Sequence, residues 1–169
     1  MFSNKSQLKR RTPENGIDRE NFLSLLVDEY LNSTLYDAKC QVLANLANFA
    51  YDPVNYVYIR DVGVLDIFLY VIKNETNTQL LHFATADPLN ADYILRNSGL
   101  KPLLALLRIN NTDIVTDTIT TLIYLSNQQT KSKITIPEVV QIMQDLKMSE
   151  SGNLANLATI FLQDICGIY

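Results

Sequence analysis

The sequence predicts an all-α fold built from short helical repeats stacked on one another, and three observations predict it. No segment alternates polar and apolar residues over strand-forming types. Apolar residues recur at three- and four-residue steps from Asp18 almost to the end of the chain. A fragment also returns: "DPVNYVYI" at 52–59 comes back as "DPLNADYI" at 87–94, sharing Asp, Pro, Asn, Tyr and Ile in register. A chain of 169 residues can bury a real core, and we expect one domain over residues 18–169.

Residues 1–17 are polar, basic and without apolar period, so they are expected to form a disordered tail. Its "LKRR" cluster reads as a solvated charge run before it reads as a nuclear address. Asp18 should cap the first helix, "DRENFLSLLVDEYL", whose faces carry Phe22, Leu25 and Leu26 on one side and Leu23, Val27 and Tyr30 on the other. Thr34 with Asp37 three residues on resembles a capping box for the second helix. That helix should set Leu35, Ala38, Val42, Leu46, Phe49 and Ala50 on one face.

Asp52 can cap the next helix, with Pro53 at the first position, where its missing N–H costs nothing. Gly63 and Gly99 are expected in the left-handed turns that end the two copies' short helices. A third copy is weaker: "TDIVTDTITTLIYLSNQQ", a polar break, then "IPEVVQIMQDLKM". The last helix, "GNLANLATIFLQDIC", echoes the second one, "LANLATIF" against "LANLANFA". No single unit could bury its apolar face alone; three or more stacked units can.

Composition excludes several functions. The formal charge is -4, yet Lys5, Lys9, Arg10 and Arg11 all precede the first acid, so the body is about twice as acidic. An acidic body without a basic stripe argues against a grip on nucleic acid and tolerates a basic protein partner. No apolar run nears twenty residues and no signal-peptide pattern opens the chain, so a soluble, intracellular protein with no membrane contact is expected. Cys40 and Cys166 lack metal or redox spacing and read as buried thiols. His82 is the single histidine and has no orienting partner nearby; with no phosphate loop and no zinc or calcium spacing, catalysis and cofactors are not expected. Asp28, Glu29, Asp61 and Asp66 fall on solvated helix faces.

What remains is a surface. Gln41, Asn45 and Asn48 recur at four- and three-residue steps and form one uncharged polar stripe. The equivalent positions in the third repeat, 76 residues on, are Asp117, Thr121 and Tyr124, and Asn156 and Gln163 continue the pattern in the last helix. Amides both donate and accept, so a ladder of them can hold an extended backbone. The competing reading has them cap helix ends or meet water. Tyr51, Tyr56 and Tyr58 form an exposed aromatic cluster, for which packing between repeats is the stronger reading.

These residues also carry a resemblance. "LANFA" at 46–50, with Asn48 at its Asn, resembles the inner-helix motif of armadillo repeats, and "DAKCQVLANLANFAYDPVNYVYIRDVGVLDIFL" strongly resembles a small member of that family. The likeness runs over roughly residues 19–166. It implies a right-handed armadillo-type α-solenoid of three to four repeats. The second would be shortened, since Asp52 to Asp87 is 35 residues where a repeat takes about 42. The deficit falls in "NTQLLHFATADPLN", with Phe83 where the motif Asn would stand. The family member it resembles is a nuclear component of the minor spliceosome, paired there with an RNA-recognition-motif protein. The resemblance therefore implies a nuclear scaffold for such a partner. The missing catalytic motifs and the acidic body add that it is non-enzymatic and without direct nucleic-acid contact, and it is expected to be monomeric on its own. Gln41, Asn45, Asn48, Asp117, Thr121 and Tyr124 are its expected partner contacts. A cytosolic adapter for unrelated peptides and direct RNA binding by the array are the alternatives.

Overall fold

The Asp18 side chain accepts a hydrogen bond from the backbone N–H of Asn21 at 2.8 Å, and the first helix, α1 (Arg19–Asn32), starts there as its cap predicts. The structure is a computed structural model that describes residues 6–7, 10, 16–75 and 91–169. Among these residues the ordered elements are helices, with no strand. The expected tail lies mostly outside the described residues, as do His82, Phe83 and the shortened segment at 77–90. The chain divides into two units, Met1–Asp87 and Pro88–Tyr169.

In the first unit α1 packs against α2 (Tyr36–Ala50), with α3 (Tyr56–Asp61) and α4 (Val64–Asn74) completing the layer. The capping box at Thr34 does not form. Leu35 is the N-cap instead, with extended backbone, and its N–H bonds the Ser33 hydroxyl at 3.2 Å. That local turn keeps the chain out of the helix one residue longer, and Leu35, expected on the inner face, is 70% exposed. Of the rest of that face, Val42, Leu46 and Ala50 are buried, joined by Cys40 and Leu43, while Ala38 and Phe49 are half-buried. Leu23, Leu43, Leu46, Ile59, Val64 and Val71 are fully enclosed. Each contributes about 1.5–3 kcal/mol, so packing outweighs any cap in holding this unit.

The recurring Asp-Pro-x-Asn fragment now has a physical account. The Asp52 carboxylate accepts from the Val54 N–H at 3.4 Å, and Pro53 opens a single 3₁₀ turn, Pro53–Asn55. Asn55 is 3% exposed, and its Nδ2 donates at 2.8 Å to the Phe49 carbonyl at the end of α2, which also accepts from the Asp52 N–H at 3.3 Å. The fragment thus starts one helix and ties it to the end of the previous one.

In the second unit α5 (Ala91–Arg96) lies 35 residues after α3, with the same length. Gly63, φ 79°, takes the left-handed turn after α3, where the Val62 N–H bonds the Tyr58 carbonyl at 2.9 Å. Gly99 does not do this after α5; its φ is -75°, and Ser98 takes the left-handed conformation at φ 60°. The register explains the correction. Tyr93, whose carbonyl accepts from Asn97, matches Tyr58, so Ser98 and not Gly99 stands where Gly63 does.

The rest of the unit is α6 (Leu100–Leu106), α7 (Thr112–Leu125), α8 (Lys131–Ile134), α9 (Pro137–Leu146) and α10 (Gly152–Ile160), which runs on as π-helix over Phe161–Cys166. The Asn111 side chain caps α7 by accepting from the Ile114 N–H at 3.0 Å. Helix α7 packs against α5, α6, α10 and the π-helical turn. It buries Ile114, Val115, Thr118, Ile119, Thr121, Leu122 and Leu125, which at about 100° per residue fill an arc of about 160°.

Candidate functional site

Helix α2 presents two chemically distinct sides. Cys40, Leu43 and Leu46 are buried, whereas Gln41 and Asn48 are exposed and Asn45 is half-buried between them. Four- and three-residue steps keep the three amides within about one sixth of the helix circumference. The Gln41 Nε2 donates to the Asn45 Oδ1 at 3.4 Å, a long bond of the exposed i,i+4 kind worth only about 0.2–0.5 kcal/mol. A competing backbone could replace it readily. The predicted stripe therefore exists in the first unit, as a solvent-facing row of amides over a packed core.

The matched positions on α7 fare differently. Tyr124 is 57% exposed and available, and Asp117 is half-buried. Thr121 is 1% exposed, which corrects its place among the partner contacts. The buried arc of α7 is turned relative to that of α2, so it takes in Thr121 where α2 leaves the matched Asn45 half-buried. Threonine tolerates this because its hydroxyl can bond its own helix backbone, as Thr118 does to the Ile114 carbonyl at 2.6 Å. In the last helix Asn156 is exposed and Gln163 half-buried.

The three tyrosines divide as well. Tyr51 is 69% exposed, while Tyr56 and Tyr58 are half-buried. The exposed acids are where expected, with Asp28, Glu29, Asp61 and Asp66 all in solvent. At the edge of the amide row, Phe49 meets Phe22 edge-on, ring centres 5.7 Å apart, and the Arg19 guanidinium sits 4.7 Å from its ring centre. These contacts brace α1 on α2 and hold the row's far end in place.

Cys40 is buried and Cys166 half-buried, both free thiols. Burial pushes the Cys166 thiol above its ordinary pKa, with Lys131 pulling weakly the other way, so it is protonated and a poor nucleophile near neutral pH. Among the described residues no cluster of His, Cys, Asp and Glu could hold a metal ion, and no helix is long and apolar enough to cross a membrane.

One surface escaped the sequence reading. In the second unit a cleft of about 770 Å³ is bordered by Arg96, Lys101, Arg108 and Lys133. These four are spread over 38 residues and form no linear basic cluster, so the body does gather positive charge where none was expected.

The chain is 42% identical over 159 residues to armadillo repeat-containing protein 7 of mouse, a match that covers 89% of this chain and 80% of that protein. No family model matches the chain.

Proposed function

This chain belongs to the armadillo-repeat family, and from that premise we propose that it is a non-enzymatic scaffold that binds a protein partner along the amide row of α2. The observation that carries this reading is the solvent-facing Gln41–Asn45–Asn48 row over fully enclosed Leu43 and Leu46. Amides held on a rigid helix lose little freedom on binding and can both donate to and accept from an extended backbone. Tyr124 adds a second contact of large area with a polar tip, and Asp117 a half-buried acceptor.

The partner in this reading is an RNA-recognition-motif protein of the minor spliceosome, and the chain supports removal of the rare intron class in the nucleus. Its helical units form a right-handed solenoid of three to four repeats, the second shortened. The scaffold works as a monomer, without cofactor, membrane or direct RNA contact, and reaches RNA through its partner. Affinity purification of the full chain from nuclear extract tests this. Recovery of minor-spliceosome proteins with wild type, and their loss with Asn45 and Asn48 both changed to alanine, is expected. Recovery of no splicing protein would overturn the reading.

A further inference from the structure

The second unit carries six Lys and Arg against seven acids, so it has no excess of positive charge. Four of those six cations nevertheless border one cleft, together with a single acid, Glu138, among its described lining residues. All four are exposed. The cleft's volume, about 770 Å³, falls within the roughly 300–1,000 Å³ of ordinary ligand sites. Leu95, Leu100, Leu104 and Ile136, all half-buried, supply aliphatic surface between the charges.

One wall of the cleft is built to stay in place. The Thr130 hydroxyl donates to the Leu125 carbonyl at 2.6 Å and accepts from the Asn127 N–H at 2.9 Å. The Asn127 Oδ1 in turn accepts from the Gln129 and Thr130 N–H groups at 2.9 and 3.1 Å. This closed set of bonds holds the turn between α7 and α8, the short helix that carries Lys133. Arg108, the remaining charge on the α6 side, is ion-paired with Glu138 of α9.

We propose that this cleft is a docking site for an acidic peptide segment of a protein partner, one in which Asp or Glu alternates with aliphatic side chains. Carboxylates meet Lys101, Lys133 and Arg96 at the rim, and aliphatic side chains cover the leucines between them. A carboxylate reaching Arg108 displaces Glu138, exchanging one ion pair for another. RNA fits less well. Its backbone charge would be met, but the described lining holds no aromatic ring on which a base could stack, and base stacking is what single-strand binders add to charge. The site does not rest on the α2 amide row, so either can fail while the other stands.

The test uses the full chain and a fluorescent peptide of alternating Glu and Leu, its Gln–Leu counterpart, and an oligouridine of equal length, titrated at low and at physiological salt. The acidic peptide should bind and the Gln–Leu peptide should not. K101E/K133E should weaken binding about tenfold or more without moving the unfolding midpoint, since both side chains are exposed. Glu138→Gln should tighten it, because it removes the acid that competes for Arg108; a cleft important only to the fold would show no gain. The proposal is overturned if the acidic peptide fails to bind at low salt, if charge reversal leaves its affinity unchanged, or if oligouridine binds more tightly than the peptide.

Discussion

Replacing Asn45 and Asn48 together by alanine takes two amides off α2 without touching its packed side. Asn48 is exposed, and Asn45 shares only the 3.4 Å bond with Gln41. The lost pair is worth about 0.2–0.5 kcal/mol. Alanine returns roughly half a kcal/mol per site in helix propensity. The double variant should therefore be as stable as wild type or more so, by about 0 to 1 kcal/mol. Leu46, one residue away and fully buried, sets the contrast: Leu46→Ala should cost about 2–5 kcal/mol, mostly as a cavity. At about 2–4 °C per kcal/mol for a chain of this size, that lowers Tm by roughly 4–20 °C. Urea melts followed by far-UV circular dichroism read both variants on one scale. If the double Asn variant loses more than about 1 kcal/mol, the amides are structural and the reasoning fails.

Three further outcomes follow from single side chains. Tyr30 is 2% exposed, its hydroxyl has no hydrogen-bond partner among the described residues, and burial pushes its pKa from 10 to about 12. Its folded pKa exceeds its unfolded one, so its contribution is complete below pH 10 and is lost as pH rises toward 12. Tyr30→Phe should flatten that alkaline loss in urea midpoints and leave neutral-pH stability unchanged or higher. Asn55→Ala should cost about 0.5–1.5 kcal/mol by removing one buried hydrogen bond to the Phe49 carbonyl, which keeps the Asp52 N–H at 3.3 Å, checked by the same melts against the mild Asn48→Ala. Ser98→Gly should be neutral or stabilising by up to about 1 kcal/mol, and Ser98→Val destabilising, because φ 60° suits glycine and resists branching; Tm orders the three.

Much of the helical layout was legible because short-range chemistry decides it. Asp18, Asp52 and Pro53 act as caps with the neighbours their types require, and Gly63 takes the turn only glycine takes freely. The misses are places where a neighbour or the tertiary surroundings won. Thr34 lost to a turn held by the Ser33 hydroxyl. Gly99 was chosen by residue type, although the 35-residue register already pointed to Ser98. Asn55 was visible as part of a repeated fragment, but its bond to Phe49 depends on where α2 ends.

The candidate surface was legible only in part, for a similar reason. The steps between Gln41, Asn45 and Asn48 fix a face on any helix, so the row on α2 follows from spacing. Whether that face meets solvent depends on which side of the helix its neighbours cover. The covered side of α7 is turned relative to that of α2, so Thr121 is inside and Tyr124 outside. The basic cleft lies further from anything local. Arg96, Lys101, Arg108 and Lys133 sit on separate helices and turns, and only folding brings their charges around one volume.

The most direct measurement is a binding isotherm between the purified full chain and a purified RNA-recognition-motif protein of the minor spliceosome. Wild type should be compared with a variant carrying alanine at Gln41, Asn45 and Asn48. The account predicts affinity at least about tenfold weaker in the variant, roughly 1.4 kcal/mol, with an unchanged circular dichroism spectrum. Equal affinity for the two chains would contradict it.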